Sequence, residues 1–461
     1  MLTMLVHAKK AGEFLRDKER ADWQDKALWL VRKKRDMAAS EVPGWEQLRN
    51  MASHIKNNVL SNLDDYLIEF ESAAVRNGVK VHWASDASEL RECVLSIVKS
   101  NNAVRVVKSK SMLTEECRLN PFLEKYGIEV TDTDLGELII QLRNEPPSHI
   151  VLPAIHLRKE EISELFHEKL HTEKGVNDPA YLTAAAREHL RHKFLSSQVA
   201  ITGVNFAVAE SGAVIVCTNE GNADMGIHAA PVQIHCMGIE KLIPKTSDLG
   251  IFLRLLARNA TGQPITTYTS HCLRPKPGGE MHVVILDNGR SKHLSESNYR
   301  NSLKCIRCGA CLNTCPVYRR SGGYSYRFTI PGPIGSVLAP LSDMKDYKDL
   351  PFASSLCGSC TDVCAVKIDI HHQLYRWRQE IINRKLVSSV KLLVYGTAAK
   401  VLASNRLYNM SGKMARWALR NLPRRIIFLK SNKWGLEREL PVAPRESFKE
   451  WYRRNQLNQK V

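Results

Sequence analysis

The sequence predicts an α/β protein: a parallel sheet covered by helices, followed by a small helical module rich in cysteine and then by a basic helical tail. Three observations predict it. Short β-branched runs alternate with amphipathic runs between residues 79 and 289, the pattern of parallel strands joined through crossover helices. Seven of the twelve cysteines fall between residues 305 and 364, too densely for scattered core positions. Positive charge gathers at the C-terminal end, where Ile381 to Val461 hold 18 Lys and Arg against 4 Glu and no Asp, which is +14 of the net +18.

Residues 12 to 76 read as helix. WQDKALWLVRKKRDMAA repeats its apolar residues at helical spacing, Pro43-Gly44 interrupts it, and an amphipathic run follows through LSNLDDYLIEFESAAVRNG. Strands and helices then alternate. VKVHWA, AVRVVKSKS, GIEVTDTD and HIVLPAIH read as strands, and ASELRECVLSIVKSN, LTEECRLNPFLEKYG and RKEEISELFHEKL as the helices between or after them. AREHLRHKFLSSQ continues as helix, and two hydrophobic runs, VAITGVNFAVAE and GAVIVCTN, flank a turn at Ser211-Gly212. QIHCMGIEKLIP and SDLGIFLRLLARNATG keep the strand-helix rhythm; PITTYTSHC and GEMHVVILDNG close it near Asn288-Gly289. The breaks give four segments: N-terminal helices over 1–60, the α/β domain over 61–292, the cysteine module over 293–380 and the basic tail over 381–461.

In the cysteine module, CIRCGACLNTCPVY places Cys305, Cys308, Cys311 and Cys315 at gaps of two, two and three residues, with Pro316 next. That is the bacterial ferredoxin run, in which three thiolates wrap one iron-sulfur cubane and the fourth reaches a second cluster. SSLCGSCTDVCAVKIDI has the same spacing if Ser354 stands for the first cysteine, ahead of Cys357, Cys360 and Cys364. With the ferredoxin crossover, Cys305, Cys308, Cys311 and Cys364 hold the first cluster. Cys315, Cys357 and Cys360 hold the second. Its fourth ligand stays open between Ser354, water and a group from elsewhere, and without one a three-iron cluster is the natural outcome. Structural zinc closes one tetrahedral site between two Cys-x-x-Cys knuckles and would leave three thiols over. Between the runs, RFTIPGPIGSVLAP carries Pro331, Gly332, Pro333 and Gly335 and predicts a rigid, irregular loop shielding the cysteines.

A chain of 461 residues suffices for two or three domains, and 44% hydrophobic with 25% charged residues is ordinary globular composition. Clustered thiols without a disulfide framework imply a reducing compartment. The start, MLTMLVHAKKAGEFLRDKER, acquires charge too soon for a signal peptide, and the most apolar later stretch, LVSSVKLLVYGTAAKVLAS, carries Lys391 and Lys400. A cytoplasmic protein is expected, with peripheral attachment at the inner membrane open through the tail. Cys93, Cys117, Cys217, Cys236 and Cys272 sit in apolar context and read as buried small hydrophobes. Neither G-x-G-x-x-G nor a phosphate loop occurs, so no flavin or nicotinamide site is encoded.

These residues carry a resemblance. CIRCGACLNTCPVY, CGSCTDVC with serine ahead of it, the PGPIG loop, and upstream AESGAVIVCTNEGN, GIEKLIP and HVVILDNGRSK together resemble the lactate utilization protein B family, the iron-sulfur subunits of bacterial L-lactate oxidising complexes. The resemblance runs from about residue 60 to about residue 380. The family tolerates the serine; Ala365, where proline is usual, departs from its pattern. The resemblance implies a lactate-utilization domain similar in fold to ribose-phosphate isomerases and coenzyme A transferases. It also implies two iron-sulfur clusters of the 4Fe-4S kind and two partners: a cysteine-rich subunit resembling heterodisulfide reductase components, and a small subunit with the same lactate-utilization domain. The chain would carry electrons while the complex converts L-lactate to pyruvate and supports growth on lactate.

Two motifs in the α/β region are candidate ligand sites. Glu210-Ser211-Gly212 and Asn219-Glu220-Gly221-Asn222 fall at strand ends, where open parallel sheets hold ligands. Glu220, flanked by Asn219 and Asn222, is the better acid/base candidate; the plainer reading is two turns with solvated or helix-capping glutamates. This opens an alternative function, in which the α/β domain itself binds and oxidises lactate or a related small acid near Glu220, with the clusters as immediate acceptors. His371 and His372 stand close enough to the second run to tune it by hydrogen bonding. The tail, from VKLLVYGTAAK to FLKSNKW, mixes apolar and basic residues at helical spacing, a pattern for a membrane surface and equally for an acidic subunit. Nucleic acid is the weaker partner, since no binding motif accompanies the charge.

Overall fold

The computed structural model describes residues 6–423 and 442–458. The described residues form two compact units, 6–381 and 382–423 with 442–458.

In the first unit, six strands make one wholly parallel sheet: β1 (Lys80–Ala84), β2 (Arg105–Lys108), β3 (Glu129–Asp132), β4 (Val199–Gly203), β7 (Val232–Gly238) and β10 (Glu280–Leu286). Their spatial order is β1-β10-β7-β4-β2-β3. The middle strands are apolar over nearly their whole length because helices cover both faces: every residue of β7 is buried, and so is β10 after Glu280. Val232 lies between Val199 and Glu280 in register, and Ile234 between Ile201 and His282. One face packs on Leu90, Val94 and Leu123, the other on Phe70, Val59 and Leu242. From β2 the chain steps outward to β3 and then returns to the other side of β2 as β4. The order therefore reverses between β2 and β4, and a crevice opens at the carboxyl ends of those two strands.

A second, four-stranded sheet was not expected as a separate layer. It consists of β5 (Phe206–Val208), β6 (Ala213–Thr218), β8 (Leu242–Ile243) and β9 (Tyr268–Cys272) in the order β8-β5-β6-β9, with only β5 and β8 parallel. The run VAITGVNFAVAE is thus two strands in two sheets. The β5–β6 turn is held under the helix Leu63–Arg76: Gly212 has φ +70°, and a Cβ there would lie 2.3 Å from the Ala74 nitrogen.

Two sequence expectations are corrected. HIVLPAIH is not a strand but a loop. Pro146, Pro147 and Pro153 remove donors that a strand would use, and His149 turns the segment back on itself, its Nδ1 accepting from the Val151 and Leu152 N–H groups at 3.0 Å. The Nε2–H is then left to donate to Asn313 Oδ1 at 3.0 Å, which ties this loop to the cysteine module. Burial holds the His149 imidazole neutral, at about 3. The stretch RFTIPGPIGSVLAP is irregular only at its start; Gly332–Ser342 is a helix with proline in its first turn, where a missing N–H costs nothing.

The N-terminal helices Lys18–Ser40 and Trp45–Ser61 lie against the helix Thr246–Thr261, and the first also against the short helices Ala310–Thr314 and Pro316–Ser321 of the cysteine module. Asp17 starts the first of them by accepting from the Arg20 N–H at 3.0 Å. Their buried faces carry Gln24, Arg35, Arg49 and Lys56 among the apolar residues.

The second unit contains the helices Ser389–Ala403, Asn405–Asn421 and Phe448–Asn458, the first two capped by Ser388 and Ser404. Leu407, Met410, Met414 and Trp417 recur at helical spacing and are all exposed. PRRIIFLKSNKW, from Arg424 onward, lies outside the described residues. No helix among the described residues is long and apolar enough to cross a membrane.

Candidate metal centre

The two cysteine runs fold as copies of one another. In the first, Arg307 and Gly309 take left-handed backbone, φ +61° and +78°, before the helix Ala310–Thr314; in the second, Leu356 and Gly358 do so, φ +57° and +82°, before Ser359–Asp362. Left-handed residues on either side of the second position curl each loop so that its side chains converge. The equivalence extends to hydrogen bonds. The Arg307 N–H donates to Cys305 Sγ at 3.4 Å, and the Leu356 N–H donates to Ser354 Oγ at 3.1 Å. Ser354 therefore occupies in the second loop the position that Cys305 occupies in the first.

Cys305, Cys308, Cys311 and Cys364 line one small cavity whose other walls are hydrocarbon, among them Ile150, Ile306, Ile334 and Ile368. Burial raises three of these thiols, Cys308 up to about 12, Cys311 well above the usual thiol range and Cys364 less far, and the neighbouring sulfurs raise them further: Cys364 acts on Cys308 and Cys311, and Cys305 on Cys364. In the other set, burial raises Cys315 and holds Cys360 at about 12; Cys357 acts on both. Cys357 alone of the seven is exposed. Four soft donors in an apolar cavity cannot all ionise against one another unless a cationic group lies between them. N–H groups also point at sulfur, Ile368 to Cys364 at 3.3 Å and Tyr318 to Cys315 at 3.5 Å. This donor set fits iron-sulfur clusters.

The surroundings are more cationic than the motifs reveal. Arg49 donates from Nε to the Cys364 carbonyl at 3.0 Å, and Arg35 from Nε to Asn259 Oδ1 at 2.9 Å, while the Asn259 amide reaches the Val363 carbonyl at 3.1 Å and Cys308 Sγ at 4.0 Å. Lys304 is buried and donates to Ser53 Oγ at 2.9 Å; burial lowers its ammonium to about 8, and Cys364 opposes that. Arg32 donates to Thr314 Oγ1 and to Ser359 Oγ, residues that precede Cys315 and Cys360. His371 bonds to Thr361 Oγ1 at 2.7 Å, so it positions the residue after Cys360 and bonds to no sulfur among the described contacts.

A second, larger cavity of about 300 Å³ opens at the reversal between β2 and β4. Ser109, Lys110 and Ser111 follow β2 into its wall, Gly203 and Asn205 come from the end of β4, and Arg307 and Cys308 close it from the cysteine module. Glu220 lines it too, but from the end of β6 in the mixed sheet, not from the parallel sheet as expected. Its Oε2 accepts from the Leu135 N–H at 3.0 Å; burial and Asp134 raise its carboxyl above the usual range. Asn219 and Asn222 are engaged elsewhere, with Thr267 and Gln263 and with Thr133. Glu210 is exposed and accepts from the Thr246 N–H at 2.7 Å, so it caps a helix and lines no part of this cavity.

Comparison with known proteins places both regions. The LUD domain family matches residues 67–290, and the 4Fe-4S dicluster domain family matches residues 301–368. Lactate utilization protein B of Bacillus cytotoxicus is 42% identical over 90% of both chains, and that of Oceanobacillus iheyensis 44% identical over 91% of this chain and 90% of its own. The chain belongs to the lactate utilization protein B family. A crystal structure of a DUF162 family protein from Deinococcus radiodurans, 12% identical, covers 49% of this chain and 98% of its own with a TM-score of 0.27.

As a family member the chain carries iron-sulfur clusters in its dicluster domain, and the resemblance read from its motifs holds. Sequence reasoning missed Arg35, Arg49, Asn259 and Lys304, which come from helices outside the cysteine runs or just before them. No motif or spacing in the sequence tied these side chains to the cysteine runs.

Proposed function

We propose that this chain is the iron-sulfur electron-transfer subunit of a complex that oxidises L-lactate to pyruvate, working beside a cysteine-rich heterodisulfide-reductase-like subunit and a small lactate-utilization-domain subunit. One observation carries the reading: Cys308 lies at the wall of the interior cavity, whereas Cys357 reaches the surface. When bound, two such clusters each take up and release one electron. Cys305, Cys308, Cys311 and Cys364 would hold the inner one, with Ile150, Ile306 and Ile368 keeping water away. Cys315, Cys357, Cys360 and the Ser354 hydroxyl would hold the outer one, Ser354 through the place it shares with Cys305.

Iron analysis and electron paramagnetic resonance on anaerobically purified protein test this. About eight irons, silent when oxidised and paramagnetic after dithionite, are expected for two cubanes. Ser354→Ala should lower iron by about one and bring a signal in the oxidised state, as a three-iron centre gives. An unchanged spectrum would remove serine from the ligand set, and zinc in place of iron would remove the function. The alternative, oxidation of lactate at Glu220 by this chain itself, draws support from Glu220 and Cys308 sharing a cavity. With an artificial acceptor, the isolated carrier should show no lactate turnover; turnover would favour the alternative.

The tail is proposed to bind an anionic membrane surface. On Asn405–Asn421 the apolar residues Leu407, Met410, Met414 and Trp417 lie along one stripe, with Arg406, Lys413, Arg416 and Arg420 beside it and no acidic residue in the helix. The full chain should float with vesicles containing anionic phospholipid and lose flotation in Met414→Glu/Trp417→Glu. Flotation that survives both charges, or that is equal with neutral vesicles, would overturn the tail's role; tail-dependent capture by an acidic subunit alone would transfer it to that partner.

A further inference from the structure

The cations around the inner cysteine set differ in how they are answered. Arg35 is paired with Asp36 at 3.0 Å, Arg49 with Glu46, and Arg290 with Glu116 and Glu240 at 3.0 and 2.8 Å. Two lysines are not paired in this way. Lys56, on the helix Trp45–Ser61, is 2% exposed, and its ammonium donates only to the carbonyls of Glu240 and Leu242. Lys304 is equally buried and donates only to Ser53 Oγ at 2.9 Å. Ser53 and Lys56 stand one turn apart on the buried face of that helix, so the two ammonium groups are gathered against one face. Neither has a carboxylate within ion-pair distance among the described residues.

A buried ammonium that meets only neutral oxygens is costly, and two like charges against one helix face add to the cost. An anion beside them would remove it. Its place is marked by the sulfurs that favour the two charges, Cys305 for Lys56 and Cys364 for Lys304. Both belong to the four thiols that line one cavity. A cluster held by four thiolates is net anionic and gains a further negative charge on reduction, so its potential depends on the charge and solvent around it. Here Ile306, Ile334 and Ile368 stand in place of water, which alone would disfavour the added electron. The other set is placed differently. Cys357 is exposed, and Arg319, the cation that acts on Cys315, is paired with Asp25 at 3.3 Å.

We propose that Lys56 and Lys304 are the fixed counter-charges of the inner cluster, raising its reduction potential so that a cluster buried in hydrocarbon stays reducible from the exposed one. In that step one electron leaves the outer cluster, which is oxidised, and enters the inner one, which is reduced; no bond or proton needs to move. The inference rests on the inner ligand set proposed above.

A redox titration of the full-length, iron-loaded chain, followed by electron paramagnetic resonance, gives two midpoint potentials and tests this. Lys56→Met should lower one of them, the reduced-to-oxidised ratio at the wild-type midpoint falling about tenfold, which is about 59 mV for a one-electron couple. The other midpoint should stay in place, as should iron content. Lys304→Met should lower the same midpoint by a similar amount, and Lys56→Arg, which keeps the charge, should recover most of the wild-type value. If both methionine variants leave both midpoints unchanged, the lysines only fasten the helix to the Glu240 and Leu242 carbonyls and to the cysteine run, and the inference fails. It fails too if both midpoints fall together, or if Lys56→Met and Lys304→Met move different ones, because the two lysines would then not serve one cluster. Should Lys56→Met bind no iron, Lys304→Met, which gives up a single hydroxyl contact, decides by the same criterion. None of these failures touches the electron-carrier reading; missing cluster signals in the wild-type chain would overturn that reading and this inference with it.

Discussion

Cys364→Ala is expected to remove about half of the iron bound by the chain, although Cys364 lies far along the sequence from the run of three with which it shares a cavity. The reason is geometric. Cys305, Cys308, Cys311 and Cys364 line one pocket, and the remaining thiols, Cys315, Cys357 and Cys360, act on one another. Truncating Cys364 leaves three half-buried thiols around an apolar void, with Arg49 still bonded to the carbonyl of residue 364 and Lys304 still buried beside it. The buried Lys304 ammonium loses the neighbouring sulfur that favours its charge, so the variant should also unfold at lower temperature. Cys315→Ala is the reciprocal measurement. It should spare the cavity set and abolish the signal of the exposed one. If each variant instead emptied the site of its own run, the crossover would be wrong; iron per chain and the reduced spectrum of the two proteins decide.

How much of the fold and site was legible in the sequence depends on how local each signal is. The cysteine runs could be read because ligand spacing is enforced within a few residues of backbone, and even the serine could be aligned by counting; the left-handed pair Leu356 and Gly358 is the structural counterpart of that count. The parallel sheet could be read because its central strands are buried on both faces and hence mostly apolar. HIVLPAIH misled for the same reason: its Ile150 is buried and apolar, but against the cysteine module and not inside a sheet. The cavity could not be read at all. Its wall is assembled from the ends of β2 and β4, the end of β6 and the cluster loop, and no period or spacing in a single chain records which loops meet. Glu220 was found from its neighbours, yet those neighbours turned out to be structural, and its place in the cavity comes from β6.

Replacing Lys108, the last residue of β2, by methionine should cost about 3–5 kcal/mol of stability at neutral pH, the range for removing one partner from a buried ion cluster. The ammonium is wholly buried and reaches Asp132 at 2.7 Å, Glu115 at 3.1 Å and Glu137 at 3.8 Å. It is the one cation among three carboxyls. Burial works against its charge, but Asp132, Glu137 and Glu115 outweigh this and hold it well above the usual lysine range. Burial likewise drives Glu137 well above the usual carboxyl range, against the pull of Lys108, and neither of its oxygens has a hydrogen-bond partner. A carboxyl whose folded value is raised favours the folded state when protonated, and that contribution is lost as pH rises through the folded value. In Lys108→Met the charge that pulls Asp132 and Glu137 down is gone, and only the Asn120 amide, donating to Asp132 Oδ2 at 2.8 Å, still lowers Asp132. The variant's deficit should therefore be smallest near pH 6 and grow toward pH 8.5, whereas the wild-type ammonium stays charged across that window. Urea midpoints of the two proteins at several pH values measure this, and adding Glu137→Gln should recover part of the deficit at the alkaline end. A deficit independent of pH would mean that lost packing at β2, not charge, dominates. A large one bears on the site as well, because Ser109, Lys110 and Ser111 run directly from this residue into the cavity wall.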